Sequence, residues 1–303
     1  MKKLLLFCIC ASLVVPGCTK QRPYDPAKDP KGPKEQEEEK QQEENPEEDD
    51  VIVTAPPADL LSWLDGKSSP LSSWYKKYVD DEGFPILASE VVRDEALIQC
   101  RYIVHTMLQK HPEAREQMIK MHWRVAICGY QQNITDIPEC AMMNVWWPAT
   151  DWNERGRGYG ATEFLPVMSI GEENIVKIPN FKERYYSESI MVHEFAHNVD
   201  YALRKAWTGF EKRLLDCYQH AKNSGLWQGG VYDYAMSNSE EYFAEASQAW
   251  YNTCRMVVKD LGTGKNFTLK TRDQLKAHDP DMYELLSTVY TEDFLHGYHF
   301  DYE

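Results

Sequence analysis

The chain has 303 residues, of which 43% are apolar and 12% are aromatic, so it is long enough to bury the core of one sizeable domain. Its formal net charge is −15 at pH 7. Nucleic acids and anionic lipid surfaces attract proteins through clustered Lys and Arg side chains. The charge therefore excludes a nucleic-acid partner.

The first eighteen residues have the pattern of an export signal. Lys2 and Lys3 precede the short apolar run 4–15, and small residues then lead to Cys18. The pattern resembles a bacterial lipoprotein signal, which implies cleavage before Cys18 and lipidation of that cysteine; an ordinary signal peptide with an incidental cysteine is the alternative. The apolar run is too short to span a bilayer. We expect an exported protein held by this lipid alone at the bacterial outer membrane, on its periplasmic side or at the cell surface.

Residues 19–55 are predicted to form a disordered acidic tether, which leaves one domain at residues 56–303. The segment includes the run EQEEEKQQEENPEEDD and very few aliphatic residues. Such a composition cannot bury enough apolar surface to offset the entropy lost on ordering. We interpret the acidic run as a solvated spacer.

Five cysteines follow Cys18, so at most two disulfides can form and one thiol is left over. Export would place them where disulfides persist. A bridge between Cys217 and Cys254 is one possible pairing, and buried free thiols are the alternative.

Hydrophobic periodicity predicts a mainly helical chain with a few strands. In chain order the predicted elements are short amphipathic pieces over 60–79, helices over 91–109 and 112–121, strands over 123–128, 165–170 and 174–178, helices over 187–207, 208–224 and 239–261, and short helices over 271–277 and 280–289. The aromatic-rich loop region 134–164 is predicted to line a site. The pattern indicates an α+β fold with a small β-sheet before the helix 187–207.

The run HEFAH at residues 193–197 carries the strongest chemical signal. His193 and His197 are four residues apart on a predicted helix, so both imidazoles project from one face and can meet one zinc ion. Glu194 would then face the open metal position, where it can take a proton from zinc-bound water and pass it to a leaving amine.

A third metal ligand must come from elsewhere in the chain. Asp200 follows His193 by seven residues, or about 10 Å along a helix, which is too far for a shared ion. Of the glutamates in SNSEEYFAEA, Glu241 and Glu245 share a helical face, whereas Glu240 does not. An ordinary solvated helix would carry glutamates as well.

Two runs, HEFAHNVD at residues 193–200 and YAMSNSEEYFAEA at 234–246, resemble the HExxH zinc metallopeptidases with a glutamate third ligand (gluzincins), within them the anthrax lethal factor family. The family usually has glycine where Ala196 stands, and we expect no damage from so small a side chain. The resemblance implies a zincin-like metallopeptidase domain with one Zn²⁺ per chain. It implies His193, His197 and Glu241 as ligands, Glu194 as base, Tyr234 as hydroxyl donor to the oxyanion, and Glu245 as a supporting residue beyond the ligands. Asp200, set aside as a ligand on distance, is expected to orient a histidine or to cap a loop.

The resemblance implies an enzyme that hydrolyses peptide bonds, and with the export pattern we expect its substrates to be extracellular or periplasmic proteins or peptides. We expect a monomer. Two alternatives stay open: a non-catalytic binding lipoprotein on the same scaffold, and a zinc hydrolase of a non-peptide amide. Retention of Glu194 argues against the first alternative. For Tyr234, the alternative is a packed aromatic, with Tyr232 and Tyr242 as other candidate donors. An edge strand over 161–168 is expected to pair with an extended substrate, and Arg155 and Arg157 either hold a substrate carboxylate or anchor the loop.

Overall fold

Helices and a small mixed sheet build the domain, as the sequence pattern predicts. The computed structural model describes residues 51–65, 71–228 and 234–300. The predicted signal peptide, Cys18, nearly all of the tether and Tyr232 lie outside the described residues. Thr54 lies within them, and its backbone exchanges hydrogen bonds with Tyr78.

Most of the predicted helices form within one to three residues of the expected bounds. The helices are α1 (Ala58–Asp65), α2 (Leu71–Trp74), α3 (Asp94–Leu108), α4 (Pro112–Lys120), α5 (Ala141–Trp146), α6 (Trp152–Arg155), α7 (Ile190–Ala206), α8 (Phe210–Ser224), α9 (Ser239–Trp250), α10 (Arg272–His278) and α11 (Pro280–Val289). Within the described residues, no helix is both long and apolar enough for a membrane span.

Five strands form one sheet in the order β1-β2-β3-β5-β4, and two more form a separate hairpin. The strands are β1 (Lys77–Asp81), β2 (Phe84–Ala88), β3 (Arg124–Cys128), β4 (Gly158–Tyr159), β5 (Val167–Gly171), β6 (Met256–Lys259) and β7 (Asn266–Leu269). Strand β3 lies parallel to both β2 and β5, whereas β1 and β4 run antiparallel at the two edges. The sheet precedes α7 in the chain, which confirms the predicted α+β class.

The sheet is buried on both faces, which is typical of its parallel strands. Helices α3, α4 and α7 pack against one face. The other face carries a cluster in which Ala126, Cys128 and Val167 pack with Ile134 and Trp152. Because side chains alternate along a strand, Gly158 lies on the face toward α7, and Tyr159 lies on the opposite face.

Helix α9 is shorter than its predicted range of 239–261. Asn252 adopts a left-handed φ of 60°, its N–H donates to the Ala249 carbonyl, and the N–H of Thr253 donates to the Gln248 carbonyl. These two bonds form a Schellman motif, which ends the helix. Residues that were predicted to continue it instead form β6.

Two strand predictions are wrong in place. A 3-10 helix occupies Glu172–Asn174, and turns follow it where a strand over 174–178 was predicted. The edge strand is β4 and not 161–168, because Ala161 donates its N–H to Asn198 at 2.9 Å and Thr162 turns back to Leu165.

The five cysteines of the described residues all carry free thiols, so the Cys217–Cys254 pairing is wrong. Arg157 forms an ion pair with Glu173 at 2.5 Å and donates to the Gln132 carbonyl. It therefore anchors the loop, which is the second of its two predicted roles.

Candidate metal centre

Helix α7 presents both histidines of the HEFAH run from one side. Ser189 caps the helix, since its hydroxyl oxygen accepts a hydrogen bond from the N–H of Val192 at 3.3 Å. Phe195 and Ala196 are fully buried beneath the helix, so it is held firmly against its neighbours. The four-residue spacing then directs His193 and His197 toward α9.

Glu241 reaches the same place from the first turn of α9. Asn238 caps this helix, and its side-chain oxygen accepts a hydrogen bond from the N–H of Glu241 at 2.7 Å. Glu241 is only 1% exposed. The loop-to-helix junction thus sets a carboxylate opposite the two imidazoles.

The three donor atoms form a compact triangle. The Oε2 atom of Glu241 lies 3.1 Å from Nε2 of His193 and 3.5 Å from Nε2 of His197, and the two Nε2 atoms are 3.3 Å apart. Two ligands about 2.1 Å from a tetrahedral zinc lie about 3.4 Å apart. The residues therefore fit a zinc ion, and we call His193, His197 and Glu241 the metal centre.

Glu245 lies on the other side of His193. Its Oε1 faces Nδ1 of His193 at 3.6 Å, and its Oε2 accepts from the thiol of Cys254 at 3.5 Å. A carboxylate at the second ring nitrogen favours the proton there and leaves Nε2 free to bind a metal. Burial raises the pKa of Glu245 to about 7, against the opposing charge of His193.

The Glu194 side chain lies where α7 packs against the edge strand β4. A Cβ atom added to Gly158 would meet the Glu194 Cγ at 2.8 Å, and one added to Gly160 would meet the His197 Cβ at 3.1 Å. Glycine at these positions lets the strand backbone approach the helix. Burial raises the pKa of Glu194, although the charges of His193 and His197 oppose the shift. A carboxylate with a raised pKa is suited to accept and return a proton near neutral pH.

Tyr234 stacks beside the metal centre. Its ring lies 6.2 Å from the His193 ring at 28°, and the residue is 37% exposed. Its position is fixed through Met236, whose carbonyl accepts a hydrogen bond from the Tyr218 hydroxyl at 2.9 Å. The alternative donor Tyr242 is buried, and its hydroxyl donates a hydrogen bond to Asp279 at 2.5 Å.

Asp200 is not among the residues whose donor atoms could share an ion, as its seven-residue spacing predicts. Its Oδ1 accepts from Nε of Arg204 at 2.7 Å. Arg204 in turn donates to the Ser239 hydroxyl at 3.1 Å, at the start of α9. Asp200 thus acts on a link between the two ligand-bearing helices, and its hydrogen-bond partner is an arginine.

The carboxylates around the metal centre create an electrostatic environment that favours positive charge. Burial disfavours charge on Glu241, but His197 and His193 outweigh it and hold the pKa of this carboxyl well below its usual range. Burial likewise lowers the pKa of His193, yet Glu241, Glu245 and Glu194 together raise it to about 10. Surroundings that favour a proton on an imidazole also favour a divalent cation.

A family comparison gives this geometry a context. The model described as "Anthrax toxin lethal factor, N- and C-terminal domain" matches residues 102–262, just over half of the chain. This chain belongs to the anthrax toxin lethal factor family. The family consists of zinc metalloproteases, so membership supports peptidase activity in general. The matched range of this lethal factor family member includes the metal centre, Glu194, Tyr234 and Glu245.

Other comparisons add little to the family match. The structure of the Pro-Pro endopeptidase PPEP-2 from Paenibacillus alvei is 16% identical, and the likeness covers 69% of this lethal factor family member and 98% of the endopeptidase. Its TM-score is 0.35, which is too low to bear on fold or function. No curated protein matches the chain.

Several residues around the site of this lethal factor family member were not predicted from the sequence. Gly158 and Gly160 carry a signal in the GYG triplet, since paired glycines mark close backbone approach. Arg204 carries none, because its bond to Ser239 joins positions 35 apart in the chain, and neither does Cys254, which meets Glu245 only because the chain turns at the end of α9. Gln248 donates to the Ser189 carbonyl at 2.9 Å and so connects α9 to the start of α7. No sequence pattern indicates this contact either.

Proposed function

We propose that this chain is a zinc peptidase whose ion is held by His193, His197 and Glu241. The observation that carries the proposal is the donor triangle, whose sides of 3.1, 3.3 and 3.5 Å match the spacing of ligands on a tetrahedral zinc. Three protein ligands leave a fourth position for the reaction, as in catalytic rather than structural zinc sites.

Bound zinc would lower the pKa of a water molecule and polarise a peptide carbonyl. The Glu194 carboxylate accepts a proton from the attacking water while the water oxygen bonds to the carbonyl carbon. It then delivers that proton to the amide nitrogen as the carbon–nitrogen bond breaks, so water is added across the peptide bond. Its raised pKa suits both transfers.

Tyr234 is assigned to the oxyanion. Its hydroxyl can donate a hydrogen bond to the carbonyl oxygen as negative charge develops there. The support for this role is the ring stacked beside His193 and its partial exposure, which a substrate contact requires. Tyr242 is unsuited to the role because its hydroxyl is committed to Asp279.

Strand β4 is the proposed site for the peptide backbone. The N–H of Gly171 donates to the Arg157 carbonyl, so in an antiparallel ladder the backbone groups of Gly158 point away from β5 toward the free edge. An extended peptide added at that edge would run past Glu194. Apolar substrate side chains facing away from the metal centre would meet the partly buried Tyr159, whose ring packs 5.6 Å from the buried Trp152 ring.

The substrate is proposed to be a protein or peptide outside the cytoplasm. This part of the proposal rests on the export pattern and on Cys18 as a lipid attachment site, both of which precede the described residues. We expect a monomer whose membrane attachment is the lipid alone. Mass spectrometry of the mature N-terminus tests export and the lipid on Cys18, because an unmodified Met1 would contradict export.

Cleavage-site profiling tests the peptidase directly. The zinc-loaded wild type and the Glu194→Gln variant are incubated with a complex peptide mixture, and new N-termini are identified. We expect new termini with the wild type that are absent with the variant. A wild type that holds zinc but creates no termini would contradict peptidase activity and favour a non-peptide amide or a binding role.

A further inference from the structure

The guanidinium group of Arg204 joins the two helices that supply the metal ligands. On α7, its Nε donates to Oδ1 of Asp200 at 2.7 Å. On α9, its NH2 group donates to the Ser239 hydroxyl at 3.1 Å and lies 3.4 Å from the Glu240 carboxylate. Its NH1 group donates to Glu211 of α8 at 3.1 Å. One side chain thus contacts three helices.

This link ends close to a metal ligand. Ser239 is the first residue of α9, and Glu241 follows two positions later. The first turn of a helix lacks the internal hydrogen bonds that hold later turns, so its position depends on outside contacts. Asn238 secures the backbone N–H of Glu241, and Arg204 secures the same turn from the side of α7.

The electrostatics argue against a role in stabilising α9 itself. A cation at a helix N-terminus opposes the helix dipole. Arg204 lies at that terminus nevertheless, and its side chain is only 14% exposed. The Asp200 side chain, 2% exposed, supplies the compensating charge from within α7. Such an arrangement favours fixing the distance between the two helices over stabilising α9.

We propose that Arg204 is a positioning residue, which holds the first turn of α9 at the distance from α7 that Glu241 needs to share an ion with His193 and His197. The inference rests on the proposed zinc centre. Arg204 follows His197 by seven residues, about 10 Å along the helix, so it cannot itself contact the ion. Its effect on metal binding must pass through Asp200 on α7 and through Ser239 and Glu240 on α9.

Zinc affinity, measured by competition with a chelating dye, tests the proposal. Arg204→Met keeps the apolar stem but removes the guanidinium, and we expect zinc binding weaker by about 10- to 100-fold. Ser239→Ala removes the hydroxyl that accepts from Arg204 on α9 and leaves the Glu240 contact in place, and we expect a loss in the same direction. Arg204→Lys keeps the charge but lacks the planar guanidinium that reaches two partners at once. We therefore expect its zinc affinity to be little higher than that of Arg204→Met.

Glu211→Gln is the matched control, because it removes a contact of Arg204 that does not involve α9. We expect its zinc affinity to stay within about twofold of wild type. Because Arg204 and Ser239 act through one link, the double variant should bind zinc no more weakly than Arg204→Met alone. If Arg204→Met fails to fold, Ser239→Ala alone decides the matter.

Folded Arg204→Met and Ser239→Ala proteins with wild-type zinc affinity would overturn the proposal while leaving the zinc centre intact. Additive losses in the double variant would also overturn it, since they would indicate two independent effects. A wild type that binds no zinc would instead refute the metal centre itself. The two failures are therefore distinguishable in one set of titrations.

Discussion

The Nε2 atom of His193 lies 3.1 Å from Oε2 of Glu241, although 48 positions separate the two residues and they lie on different helices. Two caps and one cross-helix link support this contact: Ser189 caps α7, Asn238 caps α9, and Arg204 bridges the helices. The ligand triangle is therefore a tertiary feature, and its parts can be tested separately.

Purified protein should contain about one zinc ion per chain. His197→Ala and Glu241→Ala should abolish its retention, because two donors are left from a set of three. Glu245→Ala should retain zinc with weaker affinity, since Glu245 faces Nδ1 of His193 and not the donor triangle. Elemental analysis after gel filtration measures all four proteins. Retention by Glu241→Ala together with loss by Glu245→Ala would reverse the ligand assignment.

Gly158→Ala should impair turnover while zinc is retained. The added Cβ would lie 2.8 Å from both Glu194 Cγ and Ile190 Cγ2, so α7 or β4 must shift. Such overpacking costs about 1–3 kcal/mol of unfolding free energy. Gly262→Ala is the control, because the nearest atom to its Cβ would be 3.5 Å away. Thermal unfolding and peptide turnover measure both variants, and full activity of Gly158→Ala would refute close strand–helix packing.

The stability contributed by Asp200 should fall as pH rises from about 4 to 7. Burial raises its pKa from 3.8 to about 6 despite the opposing charge of Arg204. Between these values the folded protein binds a proton that the unfolded chain releases, so unfolding free energy is lost as pH rises through 6. A difference of roughly two pH units between the folded and unfolded pKa of Asp200 corresponds to a change in unfolding free energy of about 3 kcal/mol at most.

Asp200→Asn removes this titration, so the wild-type minus variant difference in unfolding free energy should decrease over that range. Urea unfolding of both proteins in EDTA at pH 4.5 and 7.5 measures the difference without a contribution from metal. A difference that grows with pH would mean that the ion pair with Arg204 outweighs burial.

Cys217 should be the first thiol of the folded domain to react with iodoacetamide. It is partly exposed, whereas Cys100, Cys128, Cys140 and Cys254 are buried. Burial and nearby Asp279 raise the pKa of Cys217 to about 11, so the reaction should be slow at pH 8. Peptide mapping after timed labelling gives the order. Earlier labelling of any of the four buried cysteines would contradict the packing described.

Sequence reasoning succeeded where the signal was local. The HEFAH spacing and the apolar pattern around it predict helix α7 and its two histidines, because both depend on the 3.6-residue period. The distance argument that removed Asp200 as a ligand also rests on helix geometry alone. Selection of Glu241 over Glu245 came from family resemblance, since both lie on one face of α9.

Other features were not predicted, most of them because they depend on contacts between distant segments. The end of α9 at a left-handed Asn252 is a local feature instead, and the apolar residues that continue beyond it led to a predicted range of 239–261. Strand β4 has two residues, too few for a period-two signal, and glycine packing against α7 places it at the edge. The Arg204–Ser239 bond spans 35 positions and has no sequence signature.

Turnover by zinc-loaded Glu194→Gln tests the catalytic assignment most directly. The variant keeps all three ligands and nearly the same side-chain shape but cannot accept a proton. On a peptide that the wild type cleaves, kcat should fall by about 100- to 10,000-fold at unchanged zinc content. Wild-type turnover by the zinc-loaded variant would contradict the assignment of Glu194 as the base.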